Sequence, residues 1–128
     1  MIAMQYGSGE GSRSNGLTVT SLWTNSSPTS SFAAQTVNLS SSAGNYVMLA
    51  VYYEFSTSNT VRTMSIVPVA SLKSGDEGMC IIAAWGANRT GVRRFTLASD
   101  TTVTFTACGY NGGTDNTYGV PVAIYGIR

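Results

Sequence analysis

The sequence predicts an all-β protein: a β-sandwich, jelly-roll-like, of about eight antiparallel strands. Three observations carry that expectation. Helical periodicity is nowhere sustained along the chain. From Leu17 onward, short runs rich in Val, Ile, Thr, Tyr and Phe recur, and turn chemistry interrupts them roughly every 8 to 14 residues. Hydroxyl groups replace charge: 17 Ser and 16 Thr stand in a chain of 128 residues of which only 10% are charged, against about 25% in an average domain.

Each strand follows from its composition and its punctuation. Residues 17–23 and 35–40 are short runs of Thr, Val and Leu, the first ending on Trp23. The turn Ser42-Ala43-Gly44-Asn45 leads into the longest apolar run, 45–55, and Ser56-Thr57-Ser58-Asn59 separates that run from 61–70. Lys73-Ser74-Gly75-Asp76 then precedes 79–86, Ala87-Asn88-Arg89-Thr90-Gly91 precedes 91–98, and Ala98-Ser99-Asp100 precedes 101–108. A glycine-rich stretch follows, and 120–127 is the last strand. Gly, Asn, Asp and Ser occupy these breaks because they accept left-handed backbone or bond to their own main chain.

The faces of the strands carry more information than their number. In 101–106, Val103 and Phe105 alternate with Thr102, Thr104 and Thr106, the pattern of a sheet with one side on the core and one in water. Residues 45–55 behave differently: Val47, Leu49, Val51, Tyr53 and Phe55 form one face, and Tyr46, Met48, Ala50, Tyr52 and Glu54 the other. The strands 120–127 and 79–86 are likewise apolar on both sides. A doubly apolar strand is covered twice, once by its own core and once by something else. The simplest cover is a second copy, which makes the protein a homo-oligomer. The alternative cover is the chain's own loops or residues 1–16, a Gly- and Ser-rich stretch expected to be a flexible arm ahead of the 17–128 sandwich.

Composition excludes several functions. A net charge of +1 is too small for a phosphate-neutralising surface or a polybasic membrane patch, and no apolar stretch reaches the roughly 18 residues that span a bilayer. Neither nucleic acid nor membrane insertion is therefore expected. Histidine is absent, which removes the commonest general base and metal ligand. The carboxylates are Glu10, Glu54, Asp76, Glu77, Asp100 and Asp115, and only Asp76 and Glu77 are adjacent. No catalytic residue, metal site or cofactor is expected. Cys80 and Cys108 sit in apolar runs without charged neighbours, so both are expected as buried, reduced, slow-reacting thiols. No signal-peptide pattern opens the chain, and folding in a reducing cytoplasm is the expectation.

Most motif-like features are chance or turns. Three Asn-x-Ser/Thr sequons, at Asn25, Asn38 and Asn88, are unremarkable where hydroxyls are so common. Gly7-Ser8-Gly9-Glu10-Gly11 lacks the strand, helix and Lys of a phosphate loop, and Gly75-Asp76-Glu77-Gly78 has too few oxygens for calcium. The segment 108–119 stands apart. Tyr110, Asn111, Asp115, Asn116 and Tyr118 fall within a glycine-rich connection, and they supply what a sugar ring requires: flat apolar faces for its C–H groups, and amides or carboxylates for its hydroxyls. Trp85 with Asn88 and Arg89 makes a second such cluster. The competing expectation is a hairpin connection whose tyrosines pack down as a lid on the core.

A resemblance is carried by the two ends of the sandwich. Leu22-Trp23-Thr24-Asn25-Ser26-Ser27-Pro28-Thr29-Ser30-Ser31-Phe32-Ala33-Ala34-Gln35-Thr36-Val37-Asn38-Leu39 resembles the opening of carboxy-terminal modules in phage tail and fibre-like virion proteins from viruses and prophages of Gram-positive bacteria. Ser26 stands where that family usually has Pro. Val120-Pro121-Val122-Ala123-Ile124-Tyr125-Gly126-Ile127-Arg128 is similar to the terminus of the same modules, and Arg62 to Pro68 fits their central strand. The resemblance implies a non-enzymatic virion structural module, trimeric in assembly, made in the host bacterial cytoplasm and contacting other virion proteins. It further implies a fibre-tip or receptor-binding role on host cell-wall polysaccharide. A capsid or tail decoration protein that stabilises the particle without a receptor is the alternative. A glycan-cleaving enzyme would need two carboxylates about 5 to 10 Å apart, for which Asp115 and the Asp76-Glu77 turn are the only material. The opening motif itself reads as structural, with Trp23 and Phe32 plugging the ends of a turn on Ser27-Pro28 that Gln35 caps.

Overall fold

The strands assemble as two facing antiparallel sheets. The computed structural model describes residues 16–84 and 89–128; apart from Gly16, the expected arm lies outside them. Sheet A has the order β1 (Val19–Thr24), β10 (Tyr118–Ile127), β3 (Met48–Ser56), β4 (Asn59–Pro68). Sheet B runs β2 (Gln35–Asn38), β7 (Thr102–Phe105), β6 (Arg89–Ser99). The other side of β6 takes β5 (Gly78–Ala84), and its first residues also pair with the small hairpin β8 (Gly109–Tyr110) and β9 (Gly113–Thr114). The outer pairs nest as in a jelly roll, the first strand beside the last and β2 beside β7. The inner strands close as plain hairpins, β3 with β4 and β5 with β6. The two segments that carry the family resemblance are thus neighbours, with Trp23 opposite Ile124.

One core lies between the sheets. Leu49, Val51 and Tyr53 of β3 and Ile124 of β10 meet Phe95, Val103 and Phe105 of sheet B. Cys80 and Ile82 join from β5. The clean alternation of 101–106 holds: Val103 and Phe105 are fully buried, while Thr102, Thr104 and Thr106 are half-exposed. One stretch departs from the expected all-strand reading. The run 61–70 ends as a strand at Pro68, and Val69–Lys73 forms a short helix, α1. Pro68 cannot donate to a sheet ladder, and Val69 and Leu72, three apart, turn one helical face into the core. Beyond α1, Ser65 Oγ bonds to the Met79 carbonyl, so β4 and β5 lie edge to edge across the two sheets.

The outer faces of the sheets differ. On sheet B, the part built from β2, β7 and the end of β6 is polar, with Thr36, Thr104 and Thr96 paired in one row and the Thr36 and Thr104 hydroxyls 2.7 Å apart, while Met79 and Ile81 at the β5 edge remain 45% and 62% exposed. On sheet A the corresponding surface is apolar. Tyr52 and Tyr125 meet edge to face at 5.5 Å, flanked by Ala50 and Ala123. Met64 and Ile66 on β4 remain 45% and 48% exposed, and Val19 on β1 60%. Glu54 on β3, only 2% exposed, has its Oε1 3.1 Å from Arg62, and its Oε2 has no partner among the described residues.

Candidate functional site

The glycine-rich connection closes on itself. Tyr110 pairs with Gly113, leaving Asn111-Gly112 as a two-residue turn with φ of 52° and 81°, the left-handed pair that an Asn-Gly hairpin turn requires. Tyr110 is 8% exposed. Its ring lies against Gly91, where a Cβ would come within 2.6 Å of it. Its other neighbour is Tyr118, stacked at 4.0 Å and 9°, and Tyr118 in turn meets Phe55 edge-on at 5.7 Å. The polar groups are engaged as well. Asn116 Oδ1 accepts the Cys108 N–H at 3.0 Å, and Asp115 Oδ1 accepts both the hydroxyl and the N–H of Thr117, at 2.6 and 3.0 Å. Those two Thr117 bonds, the hydroxyl first, hold the Asp115 carboxyl below its ordinary range.

Of the expected saccharide residues, then, Tyr110, Asn111, Asp115, Asn116 and Tyr118 do share one loop, but the two rings face each other. Asn111 alone is an exposed side chain on the turn. Trp85 and Asn88 lie outside the described residues. Arg89 opens β6 opposite Ala84, and its side chain is likewise outside the description.

Beneath this loop lies a residue that the sequence reading treated only as part of a strand. Arg93 is fully buried. Its Nε donates to Gly119 O at 2.7 Å, Nη1 to Thr106 O at 2.7 Å and Nη2 to Tyr118 O at 3.1 Å, and its guanidinium sits 5.3 Å over the Phe32 ring. One cation therefore ties both roots of the connection to β6. Three carbonyl dipoles and a ring face take the place of a carboxylate partner. Burial pulls the Arg93 pKa below its usual value, against opposing contributions from Cys108, Tyr53 and Cys80. A signal for this placement exists in the sequence: Arg93 shares the period-two phase of Phe95 and Leu97, both of which pack into the core.

Cys80 and Cys108 are free and buried beside this arginine. Burial, then the neighbouring Cys108, pushes the Cys80 thiol up to about 12, although Arg93 pulls the other way. Burial raises Cys108 too. Neither thiol is activated.

An open site forms instead at the neighbouring connection between β1 and β2. Trp23, Asn25, Phe32, Gln35 and a group of serines enclose a cleft of about 280 Å³. Trp23 meets Phe32 edge-on at 6.0 Å and leans on Phe105 at 5.9 Å, so its indole is fixed from behind. Asn25 pins the rim: its Nδ2 donates to Pro121 O at 2.8 Å, its Oδ1 accepts the Ser27 N–H at 2.8 Å, and its own N–H donates to Val122 O at 2.8 Å. Phe32 N–H donates to Asn116 O at 2.9 Å, which couples the cleft to the closed loop. Trp23 and Phe32 thus brace the turn as expected, but the turn they brace is hollow. The legible signal was a serine-rich turn flanked by two aromatics.

Among the described residues no group of three Cys, Asp or Glu side chains is placed to hold a metal ion. Comparison of the chain with protein-family models, with curated proteins and with solved structures finds no match. A functional reading therefore rests on the residues described above.

Proposed function

We propose that this protein is a non-catalytic phage virion module that associates with copies of itself through the outer face of sheet A and adheres to a host cell-surface glycan. The observation that carries the reading is the apolar surface of Tyr52, Tyr125, Met64, Ile66 and Val19, with Met64, Ile66 and Val19 at 45%, 48% and 60% exposure. Solvated sheet faces alternate to polar residues, as β7 does, and a contiguous apolar one marks an interaction surface. A second copy presents the same face, so the contact needs no further partner. A trimer is the state that the resemblance to fibre modules implies.

One observation favours the second reading, a decoration protein without a receptor. The polar groups of the 108–119 connection are largely bonded within it, which leaves that loop few groups for a ligand. Retention on purified Gram-positive cell-wall polysaccharide decides between adhesion and decoration.

The assembly is tested by light scattering. The wild type should give a multiple of 13.4 kDa, and Ile66→Glu should give the monomer, because a carboxylate buried without a partner costs several kcal/mol, roughly 3 to 5 by comparison with broken buried pairs. Ile66 is half-exposed, so the fold of the single chain should tolerate the change. A wild-type monomer at micromolar concentration would sink the proposal.

A further inference from the structure

The cleft between β1 and β2 has a composition that selects a ligand class. Among the described residues no charged one lines it, which argues against phosphate, sialic acid or another anion. Apart from Val37, its lining is aromatic, hydroxyl and amide. Trp23 supplies apolar ring surface, and its indole N–H has no hydrogen-bond partner among the described residues. The hydroxyls of Ser26, Ser30 and Ser31 are likewise without partners there. Gln35 uses its Nε2 to reach Ala33 O at 3.1 Å, which leaves its Oε1 to accept. At about 280 Å³ the cavity lies at the lower edge of small-molecule sites, which run from roughly 300 Å³ upward, so it suits one ring rather than a chain.

We propose that this cleft binds a single neutral sugar ring of a larger glycan. Trp23 covers the C–H face of the ring, and Ser26, Ser30, Ser31 and Gln35 exchange hydrogen bonds with its hydroxyls. The rim needs no rearrangement to do this, since Asn25 already anchors it to Pro121 and Val122. A few neutral hydrogen bonds of about 1 kcal/mol each give affinity in the millimolar range for one site. Useful adhesion then comes from several copies acting on one polymer. The inference rests on the adhesion reading above and names its site.

The test follows the Trp23 indole N–H by two-dimensional NMR on the full-length protein, with Trp85→Phe leaving one indole signal. The probes are the methyl glycosides of glucose, galactose, N-acetylglucosamine and rhamnose, with glucose 6-phosphate as the charged comparison. At least one neutral glycoside should move the signal saturably, and glucose 6-phosphate should not. Gln35→Ala, an exposed substitution that leaves the melt unchanged, should weaken that binding about fivefold, the worth of one neutral hydrogen bond. The proposal is overturned if no glycoside moves the signal, if the charged sugar binds better, or if Gln35→Ala binds as the wild type does. Polysaccharide retention without any glycoside shift removes the cleft and keeps adhesion; loss of both removes the adhesion reading as well.

Discussion

Residues 106–117 and 25–34 are adjacent connections of similar chemistry, each holding one aromatic residue (Tyr110, Phe32) beside another in the adjoining strand (Tyr118, Trp23) and rich in hydroxyl and amide groups, joined where Phe32 N–H meets Asn116 O. The first is sealed: its two tyrosines stack on each other, and its Asn116 and Asp115 bond inward. The second is open, with aromatics braced from behind and serines directed at a cleft. The difference comes from what lies beneath each. Arg93 holds three carbonyls at the roots of the first connection, drawing it onto the core, whereas the second is held by Asn25 at its rim and by the buried Phe32 ring, and the serine-rich stretch between them spans a gap. Residue content alone does not make a binding loop; the anchoring beneath it decides whether polar groups are available.

The largest effect is expected from removing that anchor. Arg93→Leu leaves the carbonyls of Thr106, Tyr118 and Gly119 buried without their donor and should cost roughly 3 kcal/mol or more. Urea unfolding at fixed protein concentration measures it, and a loss below about 1 kcal/mol would mean that water replaces the guanidinium. Tyr118→Ala tests the seal itself. Removing a half-buried ring that contacts both Tyr110 and Phe55 should lower stability by about 2 kcal/mol, visible as a lower melting temperature. An unchanged melt with loss of glycan binding would return the site to this loop and end the contrast drawn here.

The effect that vanishes at neutral pH is alkaline. The folded Cys80 thiol titrates near 12 against an ordinary value of 9.0, so between those values the unfolded chain has released a proton that the folded chain keeps. Stability is fully present below pH 9 and falls as pH rises toward 12, with a slope of at most about 1.4 kcal/mol per pH unit for one proton. Cys80→Ala should flatten the decline without abolishing it, because Cys108 and Tyr53 are shifted in the same direction. An identical pH profile in that variant would count against the burial of this thiol.

The sheet pattern was legible because it is local. Alternation with period two sorted Val103 and Phe105 from Thr102 and Thr104, and the doubly apolar 45–55 announced a second surface before any partner strand was known. The Asn111-Gly112 turn was equally available from two adjacent residues, although the 108–119 segment invited a reading as one long loop. Strand ends were less certain, and Pro68 with Val69 and Leu72 made a helical turn where a β-branched run suggested more strand.

What the sequence determined by itself is therefore which residues lie on which side of each strand, since that depends only on backbone geometry within a few residues. Tertiary structure decided which of two similar connections would be closed. That outcome depends on Arg93 of sheet B meeting carbonyls 13 to 26 positions away, Gly119 of sheet A among them, and on Asn25 reaching Pro121 on the neighbouring strand β10 across 96 positions, contacts between segments distant in the chain that leave no periodic trace along it.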